Sequence, residues 1–129
     1  MNAEINKDDK ILIVDDDKTV RDFLQRYLVQ KGFTQVFSVG SGEEAISIAP
    51  AQDIKLAFLD VKMPGLNGID VLRALKKIKK DIGVIMITGF PEEEVTKEAI
   101  KEGAYDYIIK PFDLAYLELS LLSKMVLMK

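Results

Sequence analysis

This chain of 129 residues contains four short apolar runs, which are separated by stretches of helical periodicity. This pattern is the strongest constraint on its fold. The runs cover residues 11–14, 56–59, 84–87 and 107–109. The first three contain no polar side chain, which is typical of strands covered on both faces of a sheet. Residues 34–39 have a weaker pattern and predict a fifth, outer strand.

Five helices are predicted between and after these strands. The first is indicated by an apolar stripe that ends before Gly32 and consists of Val20, Phe23, Leu24, Tyr27 and Leu28. The starts of the others are marked by Ser41, Asn67, Pro91 and Asp113. Pro50 is expected to end the second helix, and the third is expected to turn Leu72, Leu75 and Ile78 inward. Alternating strands and helices predict one α/β domain with a parallel sheet covered on both faces.

Composition excludes several classes of function. The chain has no cysteine and no histidine, so zinc sites built on these residues and a Ser-His-Asp triad are excluded. A net charge of −3 provides no electrostatic footprint for nucleic acid. We find no signal peptide and no run of about 20 apolar residues. We therefore expect a soluble, cytoplasmic protein with no membrane or nucleic-acid partner, a flexible tail at residues 1–8 and a single domain at residues 9–129.

Polar residues follow four of the predicted strands. They are Asp15, Asp16, Asp17, Asp60, Thr88 and Lys110. The carboxyl ends of parallel strands meet at one edge of a sheet, where ligands bind. Two carboxylates ~4 Å apart repel by about 4 kcal/mol at an effective dielectric near 20, so such a cluster holds a proton or recruits a cation. Oxygen ligands favour Mg²⁺, and a carboxylate beside a metal, a lysine and a hydroxyl suits phosphoryl transfer.

These residues lie in motifs that resemble the receiver domain of two-component response regulators. The matching segments are residues 11–17, 60–65, 67–68, 87–89 and 103–112. The resemblance extends over about residues 9–128. It implies a flavodoxin-like, doubly wound (βα)5 fold with strand order 2-1-3-4-5.

The resemblance also implies roles for individual residues. Asp60 is expected to accept a phosphoryl group from a sensor histidine kinase or a histidine phosphotransfer protein, which would place the chain in a phosphorelay. Mg²⁺ is expected to be held by Asp15, Asp16, Asp60 and the backbone carbonyl of Lys62. The chemistry implied is at most self-phosphorylation from phosphohistidine and slow autodephosphorylation.

Three further residues are assigned by the same resemblance. Thr88 is expected to hydrogen-bond the new phosphoryl group and Lys110 to pair with it. Tyr107 occupies the family's aromatic switch position, although an aromatic strand residue is also common in a core. The surface expected to switch is formed by the fourth helix, fifth strand and fifth helix, and it is a candidate for homodimerisation. The family's cis bond is expected at Lys110–Pro111.

Two positions that tune dephosphorylation in this family carry bulky residues here. They are Lys62 and Phe90, and we expect each to obstruct an attacking water and slow hydrolysis of the acyl phosphate. Gly89, where alanine is frequent, is still small and should leave access to the site.

Other functions remain open from the residues. The start 15–20 also fits a haloacid-dehalogenase-like phosphatase with Asp15 as nucleophile, although this chain lacks that family's acidic pair beyond the lysine. A third reading is a protein-interaction module that works without phosphorylation. Among the aspartates, Asp17 is best explained as a residue that stabilises a helix start. Thr88 can also be read as an ordinary strand residue.

The last predicted helix has more apolar surface than one sheet face requires. Leu117, Leu121 and Met128 can line one side, and Ala115, Leu119, Leu122 and Val126 another. The helix is therefore either an overfilled core helix, a dimer contact or the start of a connector to an output domain.

Overall fold

The computed structural model describes the backbone of residues 6–127 and the side chains of residues 6–121. Its centre is a five-stranded parallel sheet of order β2-β1-β3-β4-β5. The strands are β1 Lys10–Val14, β2 Gln35–Val39, β3 Ile54–Asp60, β4 Gly83–Thr88 and β5 Asp106–Ile109. The predicted fold class and strand order are confirmed. Strand β3 extends beyond its apolar run at both ends, so that Asp60 is the last residue of the strand.

Five helices connect and follow the strands. They are α1 Lys18–Gln30, α2 Gly42–Ile48, α3 Gly68–Ile78, α4 Glu93–Lys101 and α5 Leu114–Leu127. A single 3-10 turn, Ala49–Ala51, contains Pro50 and follows α2 directly, as expected of a proline that ends a helix.

Side-chain hydrogen bonds mark the starts of α1, α2, α3 and α5, whereas α4 begins at Glu93, two residues after Pro91, without a side-chain cap. The side chains of Asp17, Ser41 and Asn67 accept backbone N–H bonds at the starts of α1, α2 and α3. Asp113 Oδ1 accepts from the first turn of α5. These bonds satisfy amide groups that have no partner inside the helix.

Two apolar layers form the core, one on each face of the sheet. On β1, Leu12 and Val14 face the layer under α2, α3 and α4, whereas Ile11 and Ile13 face the layer under α1 and α5. All four are fully buried. Alternate residues of a strand point to opposite faces, and both faces here are covered, which explains why the run contains no polar residue.

The prediction that Ile78 lies in the core is wrong. Ile78 is 38% exposed, whereas Leu72 and Leu75 are fully buried. Ile78 is the last residue of α3 and lies at the rim of a surface cavity that Pro50 and Ile82 also line. Because α3 ends at Ile78, no further helical turn packs this side chain against the sheet.

The residues that precede β1 contact the rest of the domain. Thr34 N donates to Lys7 O at 3.1 Å, Lys7 Nζ donates to Lys31 O at 2.6 Å, and the side chain of Gln35 donates to Asp8 O. These bonds attach the segment to the turn between α1 and β2. Residues 1–5 of the predicted tail lie outside the described residues.

Helix α5 turns one of its two predicted apolar sides to the sheet. Leu117 and Leu121 are buried, whereas Ala115 is exposed and Leu119 is 61% exposed. The predicted members Leu122, Val126 and Met128 lie outside the described side chains. Within residues 6–127, no helix has both the length and the apolar character needed to cross a membrane.

Candidate functional site

Three carboxylates converge at the carboxyl edge of the sheet. Asp15 directly follows β1 and Asp60 ends β3, and these strands are neighbours with Val14 opposite Leu59. One carboxylate oxygen from each of Asp15, Asp16 and Asp60 lies within 4.8 Å of the others. Asp15 and Asp60 are buried, whereas Asp16 is exposed. An oxygen cluster with one exposed member suits a hard divalent cation that keeps part of its water shell.

Lys110 adds a positive charge to this cluster. It follows β5, the strand at one edge of the sheet, which is separated from β3 by β4. Its Nζ lies 3.0 Å from Asp15 Oδ2 and 3.7 Å from Asp60 Oδ1, and the side chain is 22% exposed. The Lys110–Pro111 peptide bond is cis, as the resemblance implies.

The polar atoms of Asp15 are almost all engaged. Its N–H donates to Val39 O at 3.3 Å, its Oδ1 accepts from Asp17 N at 2.9 Å, and its carbonyl oxygen accepts from Arg21 Nη1 at 2.7 Å. The remaining atom, Oδ2, is buried and has no hydrogen-bond partner among the described residues. Lys110 Nζ is close enough for an ion pair with it, but not in the direction of a hydrogen bond.

The charge on Asp60 is unfavourable in this setting. Burial and the neighbouring carboxylate of Asp15 raise the pKa of Asp60 from its ordinary 3.8 to about 7. Asp16 acts in the same direction, whereas the ammonium of Lys110 and the backbone N–H of Lys62 oppose the rise. A bound cation would relieve the repulsion and keep Asp60 ionised at neutral pH.

Thr88 ends β4 beside this cluster. It is 1% exposed, and its hydroxyl oxygen accepts a hydrogen bond from Phe90 N at 3.1 Å. Strand β4 lies next to β3, with Ile87 opposite Asp60, so Thr88 is on the side of the cluster that leads to Lys110.

Tyr107 lies further from the carboxyl edge, near the start of β5. Its ring packs partly buried against the layer under α2, α3 and α4. Its hydroxyl oxygen is buried and lacks a hydrogen-bond partner among the described residues. A phenol oxygen usually finds a partner when it is buried, so this arrangement carries an energetic cost.

Gly68 allows the start of α3 to lie against the end of β3. A Cβ at this position would lie 2.5 Å from Asp60 O and 2.7 Å from Val61 Cα, which is closer than side chains tolerate. The Gly68 N–H donates to Val61 O at 2.8 Å. The Asn67–Gly68 pair of the sequence therefore caps the helix and permits its close approach.

Lys62 and Phe90, the two bulky positions, lie in the loops that follow β3 and β4. Lys62 Nζ forms a 2.7 Å ion pair with Glu92 Oε1, and the Phe90 side chain is 75% exposed. Sequence reasoning missed Glu92, and it also missed the bond from Arg21 to Asp15. No local motif marks either contact, because each joins side chains or loops from different elements.

Known proteins resemble this chain over most of its length. The family described as the response regulator receiver domain matches residues 11–121. Sporulation initiation phosphotransferase F of Bacillus subtilis (strain 168) is 36% identical over 106 residues, which cover 82% of this chain and 85% of that protein. Response regulator SaeR of Staphylococcus aureus (strain USA300) is 40% identical over 102 residues, or 79% of this chain. The match spans only 44% of SaeR.

Solved structures agree with this assignment. A CheY-like receiver domain protein from Methanospirillum hungatei JF-1 has a TM-score of 0.90 at 27% identity, covering 94% of this chain and 96% of that one. The CheX–CheY complex with BeF3 and Mg²⁺ from Borrelia burgdorferi has a TM-score of 0.84 at 30% identity, covering 89% of this chain and 87% of that one. The strand order, the acidic edge and these matches lead to one conclusion: the chain belongs to the response regulator receiver domain family of two-component signal transduction.

Proposed function

We propose that this receiver domain accepts a phosphoryl group on Asp60, with Mg²⁺, from the phosphohistidine of a sensor kinase or a phosphotransfer protein in the cytoplasm. The observation that carries the proposal is the position of Asp60. Its buried carboxylate lies between two other acidic groups and the ammonium of Lys110. Of the other two carboxylates, Asp15 accepts from Asp17 N and is ion-paired with Lys110 at 3.0 Å, and Asp16 is exposed.

The residues present fit a magnesium ion. Asp15, Asp16 and Asp60 would hold it, and the backbone carbonyl of Lys62 is the fourth ligand that the family resemblance implies. The buried Oδ2 of Asp15 accepts no hydrogen bond from the described residues and has the ammonium of Lys110 3.0 Å away, which marks a place where positive charge is favoured. When bound, the ion would neutralise negative charge on the phosphoryl oxygens.

In the proposed transfer, the only covalent bond of this protein that changes is the one formed at Asp60. One Asp60 oxygen bonds to phosphorus while the phosphorus–nitrogen bond of the donor breaks, and the electron pair of that bond remains on the imidazole. Lys110 supplies a positive charge near the forming mixed anhydride. The Thr88 hydroxyl, which accepts from Phe90 N in this structure, still has its own proton to donate to a phosphoryl oxygen.

An apolar groove beside Lys110 is suited to contact the phosphodonor. It has a volume of about 500 Å³ and is lined by Thr19, Val20, Phe23, Lys110, Pro111 and Phe112. The rings of Phe23 and Phe112 stack at 5.5 Å between their centres. Because Lys110 belongs to both the groove and the acidic cluster, a helix seated here would bring a histidine side chain toward Asp60.

The signal would then pass to the surface formed by α4, β5 and α5. Movement of Thr88 toward the phosphoryl group would open space that Tyr107 can enter, giving its buried hydroxyl a new environment. This surface carries exposed apolar side chains on each element, including Ile100, Ile109 and Leu119. We propose that it serves homodimerisation or contact with an output partner.

The phosphatase alternative has less support. Its nucleophile would be Asp15, whose carboxylate is already bonded to Asp17 N and paired with Lys110. Its general acid would be Asp17, but that side chain accepts from Thr19 N at the start of α1. Both aspartates are thus engaged in other contacts. A protein-interaction module without phosphorylation is favoured by no observation at the site.

Incubation with acetyl phosphate and MgCl₂, followed by intact-protein mass spectrometry, tests the proposal. We expect the mass of one phosphoryl group to be added to the wild type and to Asp17→Asn, an exposed control outside the cluster. Asp60→Asn is expected to stay unmodified, and Asp15→Asn to be modified much more slowly. Modification of Asp60→Asn at the wild-type rate would overturn the assignment.

The same assay measures the lifetime of the phosphorylated form after the donor is removed. Lys62 and Phe90 are both bulky, so we still expect slow hydrolysis. Replacing both by small residues should shorten the half-life, and an unchanged half-life would argue against obstruction of the attacking water.

A further inference from the structure

The loop that carries the acidic pair is held by a side chain outside the acidic cluster. Arg21, on the first turns of α1, donates from Nη1 to the carbonyl oxygen of Asp15 at 2.7 Å. The other two hydrogen bonds of Asp15 are made with backbone groups, Val39 O and Asp17 N. Arg21 therefore provides a side-chain contact that holds the Asp15–Asp16 peptide.

The guanidinium is itself confined on its other side. A Cβ at Gly40, in the turn between β2 and α2, would lie only 3.2 Å from Arg21 Nη1 and 3.7 Å from Glu44 Oε1. Glu44 Oε1 also accepts from Gly40 N at 3.1 Å. The guanidinium thus lies between the Asp15 carbonyl and a hydrogen-bonded turn, and these two contacts define its position.

With three of its polar atoms bonded, Asp15 is left with one oxygen, Oδ2, which lies 3.0 Å from Lys110 Nζ. We propose that Arg21 is a positioning residue for the divalent cation: it holds the Asp15–Asp16 peptide so that both carboxylates face Asp60. This inference rests on the proposed function, since it concerns the same magnesium site. Residues that orient metal ligands typically affect metal affinity by about 10- to 100-fold.

The sign of the effect separates positioning from simple charge. Removing a positive charge near a cation site should strengthen the binding of Mg²⁺, because repulsion between the two cations is lost. Loss of positioning should weaken it. A weaker affinity in an Arg21 variant is therefore not explained by the change in net charge.

The experiment is a titration of the folded chain of 129 residues with MgCl₂, in which NMR signals of the backbone amides near Asp60 report metal binding. We expect Arg21→Met to raise the dissociation constant for Mg²⁺ about tenfold. Arg26→Met removes the same charge from an exposed position on the same helix and is expected to change it less than twofold. Arg21→Lys keeps a donor and the charge, and should recover part of the affinity.

Urea unfolding establishes that each variant is folded before metal is added, and Arg21→Gln replaces Arg21→Met if the latter is not. An Arg21 variant that is folded and binds Mg²⁺ as tightly as the wild type, or more tightly, overturns the positioning role and leaves the proposed function intact. A wild-type protein without measurable affinity for Mg²⁺ would instead overturn both.

Discussion

The carboxylate of Asp60 is buried beside another carboxylate, where ionisation is costly. Its pKa is raised from 3.8 to about 7, mainly by burial and then by the charge of Asp15. The folded protein therefore binds a proton at Asp60 more tightly than the unfolded chain does. The stability contributed by the neutral carboxyl is fully present below pH 3.8 and is lost as pH rises through about 7.

Asp60→Asn should therefore stabilise the metal-free protein, and more at high pH, because an amide cannot ionise. We expect its gain in free energy of unfolding over the wild type to be roughly 2–3 kcal/mol larger at pH 8 than at pH 5. Urea unfolding in the presence of EDTA measures this difference. An equal gain at both pH values for Asp60→Asn would contradict the electrostatic account.

Two glycines near the site differ in what surrounds them. A Cβ at Gly68 would meet the backbone at 2.5 Å, whereas one at Gly89 meets no atom within 4 Å among the described residues. Gly68→Ala should cost about 1–3 kcal/mol because backbone must shift to admit the methyl group. Gly89→Ala should be neutral or stabilise by about 0.4–1 kcal/mol through the unfolded chain. Thermal unfolding of both variants checks the contrast, and equal losses would refute it.

At the scale of elements, α5 is joined to β5 through one carboxylate. Asp106 accepts from Ser120 Oγ at 2.6 Å, from the Tyr116 hydroxyl at 2.9 Å and from Tyr107 N at 2.8 Å. The bond to Asp106 raises the pKa of Tyr116, because the carboxylate stabilises the protonated phenol. The network links the helix directly to the strand that carries Tyr107.

Ser120→Ala should loosen this attachment. Ser120 is only 5% exposed, so its loss removes a buried hydrogen bond to a charged acceptor and should cost about 1.5–3 kcal/mol. Tyr116→Phe is the comparison, because that ring is 43% exposed and water can replace its hydroxyl at Asp106. Hydrogen exchange should show faster opening of α5 in Ser120→Ala than in Tyr116→Phe. The reverse order would indicate that burial does not control the strength of these bonds.

At the scale of the whole molecule, the surface formed by α4, β5 and α5 carries exposed apolar side chains. Ile100, Ile109 and Leu119 are each more than half exposed. We expect Mg²⁺ with BeF3⁻, which stands in for the phosphoryl group, to increase self-association in sedimentation experiments. Ile109→Glu should suppress this increase. Val29→Glu, at a 56% exposed position on α1, should leave it unchanged. A wild-type protein that stays monomeric in both states would exclude the homodimer.

Much of the architecture follows from local patterns. Apolar runs identify the central strands, and Asp17, Ser41 and Asn67 identify helix starts through bonds that span two or three residues. The expectation that Ile78 lies in the core is wrong, because periodicity does not show at which residue α3 ends.

The chain by itself determined the order of strands and helices and the acids at the strand ends, because these depend on neighbouring residues and on the common direction of parallel strands. Tertiary structure alone decided which atoms meet. Lys110 reaches Asp15 across the ends of two strands, β3 and β4, Lys62 pairs with Glu92, and Ser120 bonds to Asp106. Such contacts join residues from separate elements, so their distances depend on strand register and helix packing. The raised pKa of Asp60 has the same origin, since burial and neighbouring charge exist only once the chain has folded.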